Sequence, residues 1–368
     1  MYKGKKVIDV HGHISTPPHF RAAAMNLIAL RTAAEGTAMP EAAVKQALDR
    51  HLRMLDERNV DVQLISARPV AMMHWERTYL VEAWSDITNK VIYDQTQMHP
   101  ARFVGIAQLP QSPEMNIKGC VKALQKSVEE YKFVGATLNP DPGANRQAPG
   151  MDDEAWFPLY AKAEELQATL VVHPSISRDP RLDRIPHSYQ YNNMTEETLA
   201  TLLLEHSDVF QRFPKLKILI CHCGGCLRRL MEPGEIVDAT KPSRGADNVI
   251  GLTGERGGGQ ATATDRAAAV EVPPPPGPDL SENLFFDTCA YDPFYLAAAI
   301  RQRGPHRMAF GTESPGSGSA QRNPTTGRPA DDILATIDSF DFLSEAQKLE
   351  MVHSNPLRVF PLLSKHAV

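Results

Sequence analysis

The sequence predicts a (β/α)8 barrel, and three observations carry that prediction. Eight short apolar, β-rich runs recur along the chain. Helical periodicity fills the stretches between them, and chemically active side chains collect at the C-terminal ends of the runs. The predicted strands are Lys5–Val10, Asp61–Ser66, Arg102–Gln108, Phe133–Asn139, Thr169–His173, Lys217–His222, Asn283–Thr288 and Arg307–Gly311. Stretches such as Ala168 to Val172 are apolar throughout rather than alternating, so both faces are buried, as in a parallel sheet covered by helices. A doubly wound open sheet would share this rhythm, but no G-x-G-x-x-G turn follows the first run.

The connections follow in order. Residues 12–41 form a long link with Pro17-Pro18 and an Ala-rich middle. Leu48, Leu52 and Leu55 then mark one helical face. Asp152-Asp153-Glu154 opens the helix after the fourth strand, where the helix dipole favours acidic side chains. Leu199, Leu203 and Phe210 predict the apolar face of the helical region after the fifth. Residues from about 232 to 280 are poor in aromatics and contain Gly257-Gly258-Gly259 and Pro273 to Pro276, a composition that suits polyproline II and cannot pack a core. They are read as a surface insertion between the sixth and seventh units of a single domain spanning 1–368.

Composition narrows the class. Lys plus Arg is 39 against 44 for Asp plus Glu, a net charge of −5, which leaves no basic footprint for nucleic acid or an anionic membrane. No apolar stretch approaches the ~18 residues of a membrane span. The start runs directly into Val7-Ile8-Asp9-Val10 without a hydrophobic leader, so a cytoplasmic protein is expected. Five cysteines do not suggest a disulfide framework. Cys221, Cys223 and Cys226 around His222 invite a zinc-thiolate reading with Cys289. Their spacing lacks the paired pattern of zinc ribbons, and a buried structural role is expected.

The chemistry concentrates at strand ends. In Asp9-Val10-His11-Gly12-His13, period two puts both imidazoles on one side, which makes half of a transition-metal site. His173 ends the fifth run, His222 the sixth, and Glu313 follows the eighth in Gly311-Thr312-Glu313-Ser314-Pro315. In a barrel these positions converge on one mouth, where such folds hold their catalytic groups. Asp9 is read as a supporting residue. Arg68, after the second strand, is a candidate for a substrate carboxylate. Asn139, Tyr191 and Asn192, the last two placed in the loop after the fifth strand, are candidates for substrate oxygens. Trp75 and Trp84 are read as packing residues.

These motifs, in this order over nearly the whole chain, resemble the amidohydrolase superfamily, and within it the aminocarboxymuconate-semialdehyde decarboxylase branch. That branch commonly has Asp after the eighth strand. Glu313, with Asn139-Pro140-Asp141-Pro142 and Phe285-Phe286-Asp287-Thr288-Cys289, looks more like the sub-branch of oxalomesaconate hydratase and meta-cleavage-product hydrolases. The resemblance implies one divalent metal, zinc first and manganese second, held by His11, His13, His173 and Glu313, with His222 as the catalytic residue beside it. It further implies a hydratase or C–C hydrolase acting on a carboxylated ring-cleavage intermediate, in a homo-oligomer. The alternative is a non-oxidative decarboxylase of an aromatic or muconate-type acid.

Overall fold

The structure, a computed structural model, describes residues 1–31, 39–228, 279–324 and 326–366. Eight parallel strands run in sequence order: β1 Ile8–His13, β2 Val62–Ser66, β3 Phe103–Gln108, β4 Gly135–Leu138, β5 Thr169–Val172, β6 Ile218–Ile220, β7 Leu284–Asp287 and β8 Met308–Ala309. The ring closes beyond the regular ladder. Val10 N donates to Phe310 O at 2.8 Å, Glu313 N donates to His11 O at 2.6 Å, and Gly12 bridges Ser314. With helices in the connections, this is a (β/α)8 barrel. Every strand residue is buried, which is why the runs read as apolar on both faces.

The helical faces divide into one that follows apolar periodicity and one that does not. Helix Glu41–Glu57 buries Leu48 and Leu55 with Val44 and Ala47. Asp153 caps the turn Glu154–Trp156, which leads into helix Phe157–Leu166. The long first link contains a helix, Pro18–Leu30, whose Phe20 packs 4.6 Å from the buried Trp84 ring. After β5 the expectation fails. Helix Ser188–Glu205 ends before Phe210, which belongs to a separate turn, Val209–Arg212. Leu199 is 48% exposed, and the buried face instead carries Asn192, Asn193, Glu196, Glu197, Ala200 and Leu204. That face turns polar groups inward, one of them to His222 (below), so apolar residues mark the wrong side.

The strand ends also differ from expectation. β1 runs on through His13, whereas β8 is cut to two residues because Pro305–Arg307 forms a turn and Phe310 and Gly311 bond elsewhere. Apart from its last two residues, the predicted insertion at about 232–280 lies outside the described residues. All five cysteines are free; Cys120, Cys221, Cys223 and Cys289 are buried, and Cys226 is exposed. Among the described residues, no helix is long and apolar enough to cross a membrane.

Candidate metal centre and active site

β1 supplies two of the imidazoles. Its pairing with β2 shifts register between Asp9 and Gly12. A Cβ on Gly12 would lie 2.2 Å from the Gln63 side chain, so the glycine makes room for that amide rather than for a ligand. Gln63 Nε2 donates to Asp9 Oδ2 at 2.7 Å and to Ser314 O at 2.9 Å, and its Oε1 meets His51 Nε2 at 2.7 Å. Asp9 also accepts from His11 N at 3.0 Å, Thr312 N at 3.1 Å and Thr312 Oγ1 at 2.6 Å. Its carboxyl is pushed up to about 6 by burial, against these hydrogen bonds. Asp9 therefore fastens β1 to the segment after β8.

His11, His13 and His173 form a buried cluster with ring centroids 5.1 to 5.6 Å apart. Each ring is held through Nδ1: His11 against Asp287 Oδ2 at 2.7 Å, His13 against Ser66 Oγ at 3.1 Å, and His173 against Pro174 O at 2.7 Å. Ser66 Oγ donates to Gly12 O at 3.1 Å, so it accepts from His13. A carbonyl and a carboxylate can only accept. All three rings therefore carry a proton on Nδ1, which leaves Nε2 as the nitrogen turned away from the anchor. Those three Nε2 atoms are buried and have no hydrogen-bond partner. Burial holds the pKa of His13 and His173 well below the ordinary imidazole value, so both stay neutral. Buried, unpartnered nitrogens on adjoining rings whose far sides are anchored are what a transition metal requires. Gly311 assists, because a Cβ there would lie 2.9 Å from the Cβ atoms of both His11 and Asp287.

Adjoining this cluster are His222, its ring 4.9 Å from His173 and 5.3 Å from His11, and Glu313, both outside the strands and both with left-handed backbone, φ 47° and 60°. His222 Nδ1 lies 2.6 Å from Glu197 Oε1, and its Nε2 lies 3.6 Å from Glu313 Oε1. Burial opposes charge on His222, but the two carboxylates overcome it and raise its pKa well above the ordinary value. Glu197 is pushed up to about 7 by burial, with His222 opposing. Glu313 Oε2 accepts from Tyr291 Oη at 2.7 Å. Donor atoms of His11, His173, His222 and Glu313 all lie within 4.8 Å of one another. Those of His11, Cys221 and Asp287 do so too, but there the His11–Asp287 hydrogen bond engages the atoms.

The other expected residues divide. Arg68 is half-buried just beyond β2, and its side chain makes no hydrogen bond or ion pair among the described residues; Glu313 lies near enough to support its charge. Asn139 is committed locally, donating to His74 Nδ1 at 3.2 Å and Asp141 O at 3.3 Å and accepting from Asp141 N. Tyr191 and Asn192 sit in the first turn of helix Ser188–Glu205, not in a loop, because the connection after β5 becomes helical at Ser188. Tyr191 is 55% exposed, whereas Tyr189, Gln190, Asn193 and Met194 of the same helix line the cavity. Asn192 is buried, with Nδ2 donating to Ser175 O at 3.3 Å and Oδ1 unpartnered.

That cavity, about 470 Å³, also contains His222, Cys289, Tyr291 and Glu313. A larger hollow of about 1280 Å³ lies elsewhere, lined by Phe103, Phe133, Gln167 and Lys215, and none of the candidate residues borders it. Chemistry rather than size marks the site. The sequence did not single out Glu197, Tyr291, Ser66 or the role of Asp287. Asp287 ends β7, so the rule that found His173 could have found it.

A parallel barrel with buried imidazoles and an acid–histidine pair at one mouth defines a metal-centred barrel enzyme. Residues 8–362 match the amidohydrolase family model, Amidohydro_2, and the chain belongs to that family. It is similar to 2-keto-4-carboxy-3-hexenedioate hydratase of Sphingobium sp. strain SYK-6, at 27% identity over 365 residues, covering 97% of this chain and 96% of the relative. Similarity to 2-amino-3-carboxymuconate-6-semialdehyde decarboxylase of Dictyostelium discoideum is 27% over 180 residues, 48% of each chain. Among solved structures, 4-oxalomesaconate hydratase from Rhodopseudomonas palustris superposes with TM-score 0.74 at 24% identity over 98% of this chain and 97% of that one. A dihydroxybenzoic acid decarboxylase from Polaromonas with bound manganese gives TM-score 0.62 at 18% identity, covering 97% of each chain.

Proposed function

We propose that this chain is a metal-dependent hydratase or C–C hydrolase acting on a carboxylated ring-cleavage intermediate of aromatic breakdown. The observation that carries the reading is similarity to a hydratase along 97% of the chain, against 48% for the muconate-semialdehyde decarboxylase. Glu313 in place of the branch's usual Asp supports the same side.

His11, His13, His173 and Glu313 would hold one divalent ion. Three imidazole nitrogens and a carboxylate suit zinc, with manganese second. Such an ion, when bound, supplies a Lewis acid that polarises substrate oxygens and acidifies water. The remaining work falls to the chain's own groups. Glu197 fixes the His222 ring through Nδ1, which leaves Nε2 on the cavity side as the atom that gives or takes a proton. Arg68, without a committed partner, binds a substrate carboxylate through its paired N–H groups. In hydration, the elements of water add across a carbon–carbon double bond, with the oxygen on one carbon and a proton on the other. His222 moves that proton.

Turnover in ¹⁸O-labelled water tests the reaction class. Hydration places one labelled oxygen in a product heavier by one water, and C–C hydrolysis places it in one of two fragments. Release of carbon dioxide with no label incorporated overturns the reading and makes the chain a decarboxylase.

A further inference from the structure

Glutamate is an awkward residue where Glu313 stands. It has one more rotatable bond than aspartate, and its backbone lies in the left-handed region at φ 60°. Its carboxylate nevertheless has a defined orientation. Oε2 accepts a 2.7 Å hydrogen bond from Tyr291 Oη, which leaves Oε1 as the oxygen 3.6 Å from His222 Nε2. The tyrosine is itself set from behind. A Cβ on Gly318 would lie 2.6 Å from the Tyr291 ring, whereas one on Gly316 would meet the Glu313 carbonyl at 2.4 Å. Gly318, shortly after Glu313, thus gives the ring its place, and the ring fixes the carboxylate.

We propose that Tyr291 is the positioning residue that makes a glutamate usable at the end of β8: its hydroxyl holds Glu313 Oε2, so that Oε1 is presented to the histidine cluster. The inference rests on Glu313 being a metal ligand, as proposed above. Tyr291 acts through Glu313 and not on substrate, so its effect should appear in metal retention and should vanish when the side chain it holds is shortened. An aspartate at 313 ends one methylene earlier and draws its carboxylate back from the hydroxyl.

The test is competition between zinc-loaded protein and a metal chelator, for wild type, Tyr291→Phe, Glu313→Asp, Glu313→Gln and the double variant Tyr291→Phe/Glu313→Asp. Tyr291→Phe removes one oxygen and should weaken zinc retention about 10- to 100-fold, the range typical of groups that orient metal ligands. In the Glu313→Asp background, the same change should cost less than about threefold. Gly318→Ala, which pushes on the ring without touching its hydroxyl, should weaken zinc in the Glu313 protein alone. The proposal is overturned if Tyr291→Phe retains zinc like wild type while Glu313→Gln loses it, or if the tyrosine and aspartate effects multiply independently. If Glu313→Gln itself leaves zinc retention unchanged, the ligand assignment fails instead, and the two failures are told apart.

Discussion

The two sides of the candidate centre are built in opposite ways. His11 and His13 lie within β1 and His173 directly follows β5; each is fixed at Nδ1, His11 by Asp287 at the end of β7, His13 by Ser66 at the end of β2 and His173 by the carbonyl of Pro174. His222 and Glu313 stand outside the strands on left-handed backbone, and they are held by Glu197 from a helix and Tyr291 from a loop. The first wall is nearly sealed, and burial holds two of its rings, His13 and His173, neutral. The second is ionic and borders the cavity. One side is suited to holding something permanently and the other to exchanging protons with what enters. A rigid wall of lone pairs and a wall of titrating groups are separate demands, and the fold meets them with different elements.

That contrast can be broken most severely from the sealed side. His11→Ala or His173→Ala should remove both the metal and all turnover, as read by elemental analysis beside an activity assay. A fully active, metal-free variant would end the distinction. On the open side, His222→Asn should keep its metal while turnover drops about 10²- to 10⁴-fold, the usual contribution of a general acid–base group. Loss of metal in that variant would move His222 to the other wall, among the ligands.

A matched pair of anchors sharpens the comparison. Asp287→Asn acts behind His11, and Glu197→Gln acts behind His222. The first should weaken metal binding about 10- to 100-fold. The second should leave binding within a few-fold of wild type and lower kcat instead. Identical profiles for the two variants would mean that the walls are not functionally separate.

The smallest effect lies behind the sealed wall. His51 is buried against Gln63 and Ser15, and burial lowers its pKa from 6.5 to about 4, as it does for His74. Between those values the unfolded chain binds a proton that the folded chain refuses. The stability from each group is complete above about pH 6.5 and is lost as pH falls through 4, at most roughly 3 kcal/mol per histidine. Urea midpoints at pH 7 and pH 5 should fall less for His51→Gln than for wild type; an equal fall would mean His51 is not the residue refusing the proton.

Legibility followed the same division. The barrel and the three imidazoles could be read because a strand with period two, buried on both faces, leaves a plain signature, and a histidine at its end has few reasons to be there. Glu197 could not be read. It sits beside Glu196 on a helix whose apolar residues Leu199 and Leu202 face outward, so periodicity pointed away from the buried face. Tyr191 was misplaced for a related reason, since nothing in Ser188 to Asn193 announces a helix start and the preceding His187 has left-handed backbone with no side-chain cap. Tyr291 and Glu313 meet only through loop geometry across 22 positions, and no local pattern encodes that meeting.

The seam of the barrel has a consequence for the chain as it is made. His11 O accepts from Glu313 N, and Asp9 accepts from both donors of Thr312. The contacts that close the cylinder therefore join segments about 300 residues apart and fall on or beside two of the proposed ligands. On a ribosome, the histidines of β1 are exposed from the outset, but the carboxylate proposed to complete their set arrives only after seven further strands have been synthesised. Contacts of such sequence separation form late. Metal capture and final closure should therefore be one event, with an ion that arrives earlier meeting an open, incomplete set of donors and being free to leave again.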